Sequence, residues 1–139
     1  MESDVVFKIV TANGVRLRLA TQGSGPLVIL CHGWPESWYS WRHQIPVIAK
    51  AGYTVVAYDV RGYGESDKPQ EIEAYTLKEL AADVLGIADA LGFERFITIG
   101  HDWGGPIALT TALLYPERVD GTKNSWHYKT ERNQDVPPG

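Results

Sequence analysis

The segment Gly100-His101-Asp102-Trp103-Gly104-Gly105 follows the apolar run Phe96-Ile97-Thr98-Ile99, and it narrows what the chain can fold into more than any other stretch. Small residues around one central reactive residue, at a strand-to-helix junction, describe a turn too sharp for a Cβ at several positions. The central residue of such a nucleophile elbow sits strained and exposed. Here that residue is Asp102 rather than serine. A carboxylate at this point suits attack on carbon, with an alkyl ester to the enzyme as intermediate. Gly100 and Gly104 serve the turn itself. A helix beginning at Gly104 directs its first N–H groups towards the carboxylate and favours its ionised form.

The rest of the chain places this turn in an α/β layered fold. Phe7 to Thr11 and Val15 to Leu19 both alternate apolar and polar side chains around Asn13-Gly14, which predicts a hairpin with a two-residue turn. Leu27 to Cys31 and Tyr53 to Tyr58 are near-continuous apolar runs, as strands buried on both faces require. Trp41 to Lys50 has helical spacing and ends at Gly52. Thr76-Leu77-Lys78-Glu79 is a capping-box sequence, followed by an apolar stripe through Leu91 that Gly92 closes. A strand from Arg95 to Ile99, the elbow and a helix from about Pro106 to Leu114 complete the order. A hairpin followed by two βαβ-type steps predicts a mostly parallel sheet.

At 139 residues, 44% apolar and 22% charged, the chain has the size and composition of one globular domain. Its net charge of −4 and scattered Lys and Arg speak against nucleic acid and anionic membrane as partners. No apolar run reaches the roughly 18 residues of a membrane span, and no leader is visible, so the expected location is cytoplasmic. The single cysteine, Cys31, lies in a buried run and reads as a small core residue. From about Gly121 the character changes: residues 121–139 are polar and lack either hydrophobic period. The reading is therefore an α/β core over residues 1–120 and a polar, disordered or aberrant tail over 121–139, with the sheet ending at the 95–99 strand.

His32-Gly33-Trp34-Pro35 follows the first buried strand, where an α/β hydrolase supplies an oxyanion-hole donor. The backbone N–H groups of Trp34 and Trp103 would then hold the negative oxygen as an ester at Asp102 is cleaved. One such donor contributes about 3 kcal/mol to the transition state. His32, Gly33, Pro35 and His101 read as supports of the two loops. Asp59 and Arg61 read as pairing or hydrogen-bonding to hold the glycine-rich loop that follows, and Trp34 and Trp103 as walls of a pocket.

Three ordered motifs carry a family resemblance: His32-Gly33-Trp34-Pro35-Glu36-Ser37-Trp38-Tyr39-Ser40-Trp41-Arg42, Asp59-Val60-Arg61-Gly62-Tyr63-Gly64-Glu65-Ser66-Asp67, and the elbow. Together they resemble the core of soluble epoxide hydrolases, of the α/β-hydrolase fold, over roughly residues 5 to 120. The resemblance implies that Asp102 opens an epoxide to a hydroxyalkyl ester. A histidine, oriented by an acid, then activates water to release a vicinal diol, while two tyrosines of a cap domain donate to the epoxide oxygen. In that family the histidine, its acid, the tyrosines and the cap follow the helix that ends here near Tyr115. The expectation is thus a truncated fold, lacking cap and C-terminal strands, and an impaired or inactive form. Haloalkane dehalogenases of the same fold are the alternative, as is a non-catalytic fragment; Trp34-Pro35-Glu36 leans towards epoxides.

No local residue is an evident substitute for the missing base. His43 falls on a helix surface and His127 in the tail. Tyr63 and Tyr75 sit in or beside structural loops. The histidines lack metal-ligand spacing, and Gly62-Tyr63-Gly64 lacks the context of a dinucleotide site. No cofactor or metal is implied, only a small epoxide and water.

Overall fold

The structure, a computed structural model, describes residues 5–33 and 36–124. Its centre is a six-stranded sheet with the order β1-β2-β4-β3-β5-β6. Strands β1 (Val6–Ala12) and β2 (Val15–Gln22) form the hairpin. Asn13 and Gly14 turn it with φ of 52° and 79°, the paired positive values of a type I′ turn. Strand β2 runs antiparallel to β4 (Thr54–Tyr58), whereas β4, β3 (Leu27–Cys31), β5 (Phe96–Gly100) and β6 (Val119–Asn124) are parallel.

The continuous apolar runs follow from burial on both faces. Leu27, Ile29 and Cys31 of β3 face one core with Val56, Tyr58 and Phe96. The alternate residues Val28 and Leu30 face a second core with Val55, Ala57, Trp41 and Ile45. Helices α2 (Leu77–Leu91) and α3 (Gly104–Leu114) supply Val84, Ile87, Ile107 and Ala108 to the first core; α1 (Gln44–Lys50) covers the second. Each fully buried Leu, Ile or Val contributes about 1.5–3 kcal/mol of transfer free energy, which makes the β3–β4–β5 centre the rigid platform of the molecule.

The helix expected over Trp41 to Lys50 is split. Trp38–Trp41 is a 3₁₀ turn capped by the Ser37 hydroxyl, which accepts from the Tyr39 amide at 3.3 Å, and α1 starts only at Gln44. Pro46 explains the break. It lacks the N–H that a helix running from Trp41 would need there, but it is tolerated in the first turn of α1. The capping box at α2 is half formed: the Thr76 hydroxyl accepts from the Glu79 amide at 3.2 Å, while the Glu79 carboxylate accepts from the Asn13 side chain at 3.0 Å. Gly92 closes α2 at φ 83°.

The sheet does not end at β5. Strand β6, Val-Asp-Gly-Thr-Lys-Asn, pairs with β5 from Phe96–Val119 to Gly100–Asn124, so the break expected at Gly121 falls inside a strand. Polar contacts hold it. The Thr98 and Thr122 hydroxyls lie 2.8 Å apart, Arg95 reaches Asp120 at 2.5 Å, and Arg118 bonds Asp89 at 2.6 Å and the Glu94 and Phe93 carbonyls. Residues 125–139 of the expected tail, His127 among them, lie outside the described residues. Strand pairing predicts that hydrogen exchange will find alternate amides of residues 119–124 protected, because an edge strand bonds its neighbour with every second residue; uniformly fast exchange would contradict β6.

Candidate active site

Parallel pairing of β3 with β5 brings their C-terminal ends together, with Cys31 opposite Gly100, so the loops after them lie side by side. The chain leaves β5 through a turn in which Gly104 N–H donates to His101 O at 2.8 Å and Gly105 N–H to Asp102 O at 3.0 Å. Asp102 takes φ 56°, a left-handed conformation that costs an L-residue about 1–2 kcal/mol. The glycines are required by close approach. A Cβ at Gly104 would stand 2.1 Å from the Cys31 carbonyl oxygen, and one at Gly100 would stand 2.3 Å from the Gly104 carbonyl oxygen. A Cβ at Gly33 would lie 2.9 Å from Asp102 Cβ and 3.2 Å from its Oδ2. The exposed carboxylate of Asp102 thus rests against the Gly33 backbone, one residue ahead of the cap of α3.

The neighbours of Asp102, Gly33 and Trp103, line with His32 a cavity of about 710 Å³ whose lining residues do not include Asp102 itself. Val60, Tyr63 and Tyr75 wall one side, with Leu77 and Leu80 from the start of α2. Pro106 and Ile107 from the first turn of α3 wall the other. The lining is overwhelmingly apolar, which suits a hydrophobic ligand with few polar anchors.

His32 is 2% exposed, and both ring nitrogens are used: Nδ1 lies 2.7 Å from Gly33 O, and Nε2 lies 2.9 Å from the Val60 amide nitrogen. Because an amide can only donate, Nε2 accepts and the ring is the neutral Nδ1–H tautomer. Burial pushes its pKa below the ordinary 6.5, against smaller upward effects from Gly33 O, Asp59 and Glu36. His101 turns away from the cavity side, its ring edge-to-face with Trp41 at 6.2 Å. His43 is exposed at the start of α1. Cys31 is fully buried, its thiol pushed up to about 12 by desolvation. Trp34 and Pro35 lie outside the described residues.

Asp59 and Arg61 hold the loop by hydrogen bonds to other groups, the second of the two expected arrangements, and not by pairing with each other. Asp59 instead accepts from the Trp38 and Glu65 amides, both at 2.9 Å, and from Arg18 Nε at 3.2 Å. Arg61 turns to Asp83 of α2, with Nε–Oδ2 2.8 Å and Nη2–Oδ1 2.7 Å. Asp59 thereby satisfies two backbone donors, and the Arg61 guanidinium takes the bidentate fit that Asp83 offers. Asp83 escaped the sequence reading, although Leu80, Asp83, Val84 and Ile87 share one helical face and a carboxylate there needs a partner. Glu36 Oε1 and Trp41 Nε1 are buried without a hydrogen-bond partner among the described residues. No group of three or more His, Cys, Asp or Glu side chains among those residues is placed to hold a metal ion, and no helix among them is long and apolar enough to cross a membrane.

A strand-turn-helix elbow at the end of β5, with a glycine loop beside it after β3, defines the hydrolase architecture, and the chain belongs to the alpha/beta hydrolase fold family, which it matches over residues 26–122. Its relatives are epoxide hydrolases. It is 55% identical over 106 residues to bifunctional epoxide hydrolase 2 of Sus scrofa, covering 76% of this chain and 19% of that one. It is 51% identical over 120 residues to epoxide hydrolase B of Mycobacterium tuberculosis, covering 84% of this chain and 34% of the relative. Epoxide hydrolase A of Mycobacterium thermoresistibile superposes with TM-score 0.85 at 50% identity, over 86% of this chain and 38% of that structure. The chain therefore spans about a fifth to a third of the length of these curated relatives.

Protonating His32 would set an N–H against the Val60 N–H. Since its folded pKa is lowered, its stabilising contribution is complete above about pH 6.5 and is lost as pH falls below that value. The urea midpoint should drop between neutral and mildly acidic pH, and His32→Gln should flatten that part of the profile. An unchanged slope in the variant would remove His32 as its source.

Proposed function

We propose that this chain is the N-terminal part of the core of an epoxide hydrolase and that Asp102 is its nucleophile. The observation that carries this reading is the left-handed backbone of Asp102, whose exposed carboxylate lies against Gly33, a residue that with Trp103 lines an apolar cavity. An Asp102 oxygen attacks one epoxide carbon, the C–O bond breaks, and the ring oxygen leaves as an alkoxide that takes a proton. The product is a hydroxyalkyl ester. Water then adds to the ester carbonyl, and collapse of the tetrahedral intermediate returns the carboxylate and releases a vicinal diol. Amide hydrogens of Trp34 and Trp103 are the proposed donors to the oxygen that becomes negative in this second step, as in other acyl-type transition states. His32, Gly33, Pro35, His101, Gly100 and Gly104 shape the two loops. The resemblance to named epoxide hydrolases at about half identity supports the substrate class.

The base for the second step is not assigned to any histidine among the described residues. His32 has both nitrogens engaged, His43 is at the surface, and His101 packs against Trp41. Loss of a general base costs about 10²–10⁴-fold. This 139-residue chain is accordingly expected to form the ester and to hydrolyse it poorly. Incubation with an aryl epoxide should add the mass of one epoxide to the intact chain, mapped to the Asp102 peptide and abolished in Asp102→Ala. An adduct that persists in the variant would overturn Asp102 as nucleophile. Sustained diol release would overturn the half-reaction, and faster labelling by a haloalkane than by the epoxide would favour a dehalogenase.

A further inference from the structure

The cavity wall formed by Tyr75, Leu77 and Leu80 is not part of the central sheet. It belongs to the 3₁₀ turn Ile72–Tyr75 and the first turn of α2, and something must hold it at a set distance from Asp102. Arg61 makes the connection. Its Nη1 donates to the Ala74 carbonyl at 2.9 Å, next to Tyr75, while Nε and Nη2 clasp Asp83 one turn further along α2. The Tyr75 hydroxyl donates to Pro69 O at 2.5 Å, and its ring lies so close to Gly62 that a Cβ there would stand 2.7 Å from Cε1. Asp83 is in turn steadied by the hairpin, with Asn13 Nδ2 donating to its Oδ1 at 3.1 Å. The ion pair is nearly fully buried, at 5% and 1% side-chain exposure, so solvent does little to screen it.

We infer that Arg61 and Asp83 are positioning residues that set the substrate-facing wall of the cavity, and so govern how tightly an epoxide is held rather than how fast Asp102 attacks it. The inference rests on the reading of this cavity as the epoxide site. Neither side chain is free to take part in proton transfer, since Asp83 accepts from Arg61 through both oxygens. Asp83 acts through Arg61, which holds the Ala74 carbonyl beside Tyr75 and itself lines the cavity. A bidentate fork that also reaches a carbonyl is a geometry lysine cannot reproduce.

The test measures ester formation at Asp102 by intact mass across a range of aryl epoxide concentrations, separating the half-saturating concentration from the limiting rate. Arg61→Met/Asp83→Leu removes the pair without stranding a buried charge. Its half-saturating concentration should rise about tenfold while the limiting rate stays within about twofold. Arg61→Lys should behave alike. Asn13→Gly, which keeps the turn conformation, should raise it about two- to threefold. Folding is verified by circular dichroism. Should the double variant fail to fold, Asn13→Gly and Arg61→Lys decide: wild-type half-saturation in both overturns the inference. A folded double variant with both parameters unchanged, or with only the limiting rate reduced, also overturns it. If the wild-type chain forms no Asp102 adduct, the nucleophile assignment fails separately. Quenching of the Trp103-dependent fluorescence by the same epoxide then reads cavity affinity directly, and equal affinity in wild type and variants would sink the positioning role.

Discussion

The approach of the elbow to the end of β3 governs the rest of the structure. Two backbone segments meet there with no room for side chains: Gly104 lies on the Cys31 carbonyl, and Gly33 lies on Asp102. That contact is possible only because β3 and β5 are adjacent and parallel, and their pairing is possible only because each carries apolar side chains on both faces. The left-handed turn at Asp102 is unfavourable taken alone, and the packed centre of the sheet holds it in place. Strain, burial and the exposure of one carboxylate are therefore linked by a single geometric arrangement.

Polar groups around the cavity follow a second rule. Asp59, Arg61, Asp83 and His32 are all buried, and each makes at least two hydrogen bonds. Breaking a pair such as Arg61–Asp83 from one side costs about 3–5 kcal/mol, a large part of a small domain's net stability. Such groups do not add much to stability when complete. They make alternative placements of the loops expensive, so that the cavity walls assume one arrangement.

Much of this was legible in the residues because it depends on local pattern. Asn13-Gly14 between alternating runs marked the hairpin, Thr76 and Gly92 bracketed α2, and the glycines of the elbow announced the close approach before any partner was known. What depends on tertiary context was harder to see. Strand β6 has no apolar period, since Thr122 and Asp120 meet polar partners rather than a core face. The start of α1 depended on Pro46, a local signal that helical spacing overshadowed. That Asp59 and Arg61 hold their loop was readable, whereas the particular partners were not, because Arg18, Trp38 and Asp83 are distant from them in sequence. Asp83 was readable in principle from its place on the inward stripe of α2.

The backbone at residue 102 is the point on which the geometry of the elbow depends. In an ordinary helix start, alanine is preferred to glycine by about 1 kcal/mol; at a left-handed position the order reverses by a similar amount. Urea unfolding of Asp102→Gly and Asp102→Ala compares the two with the carboxylate removed from both. The glycine variant is predicted to be the more stable by about 1 kcal/mol. An alanine variant as stable as the glycine one, or more so, would show that the residue is not held in the strained turn from which its exposure follows.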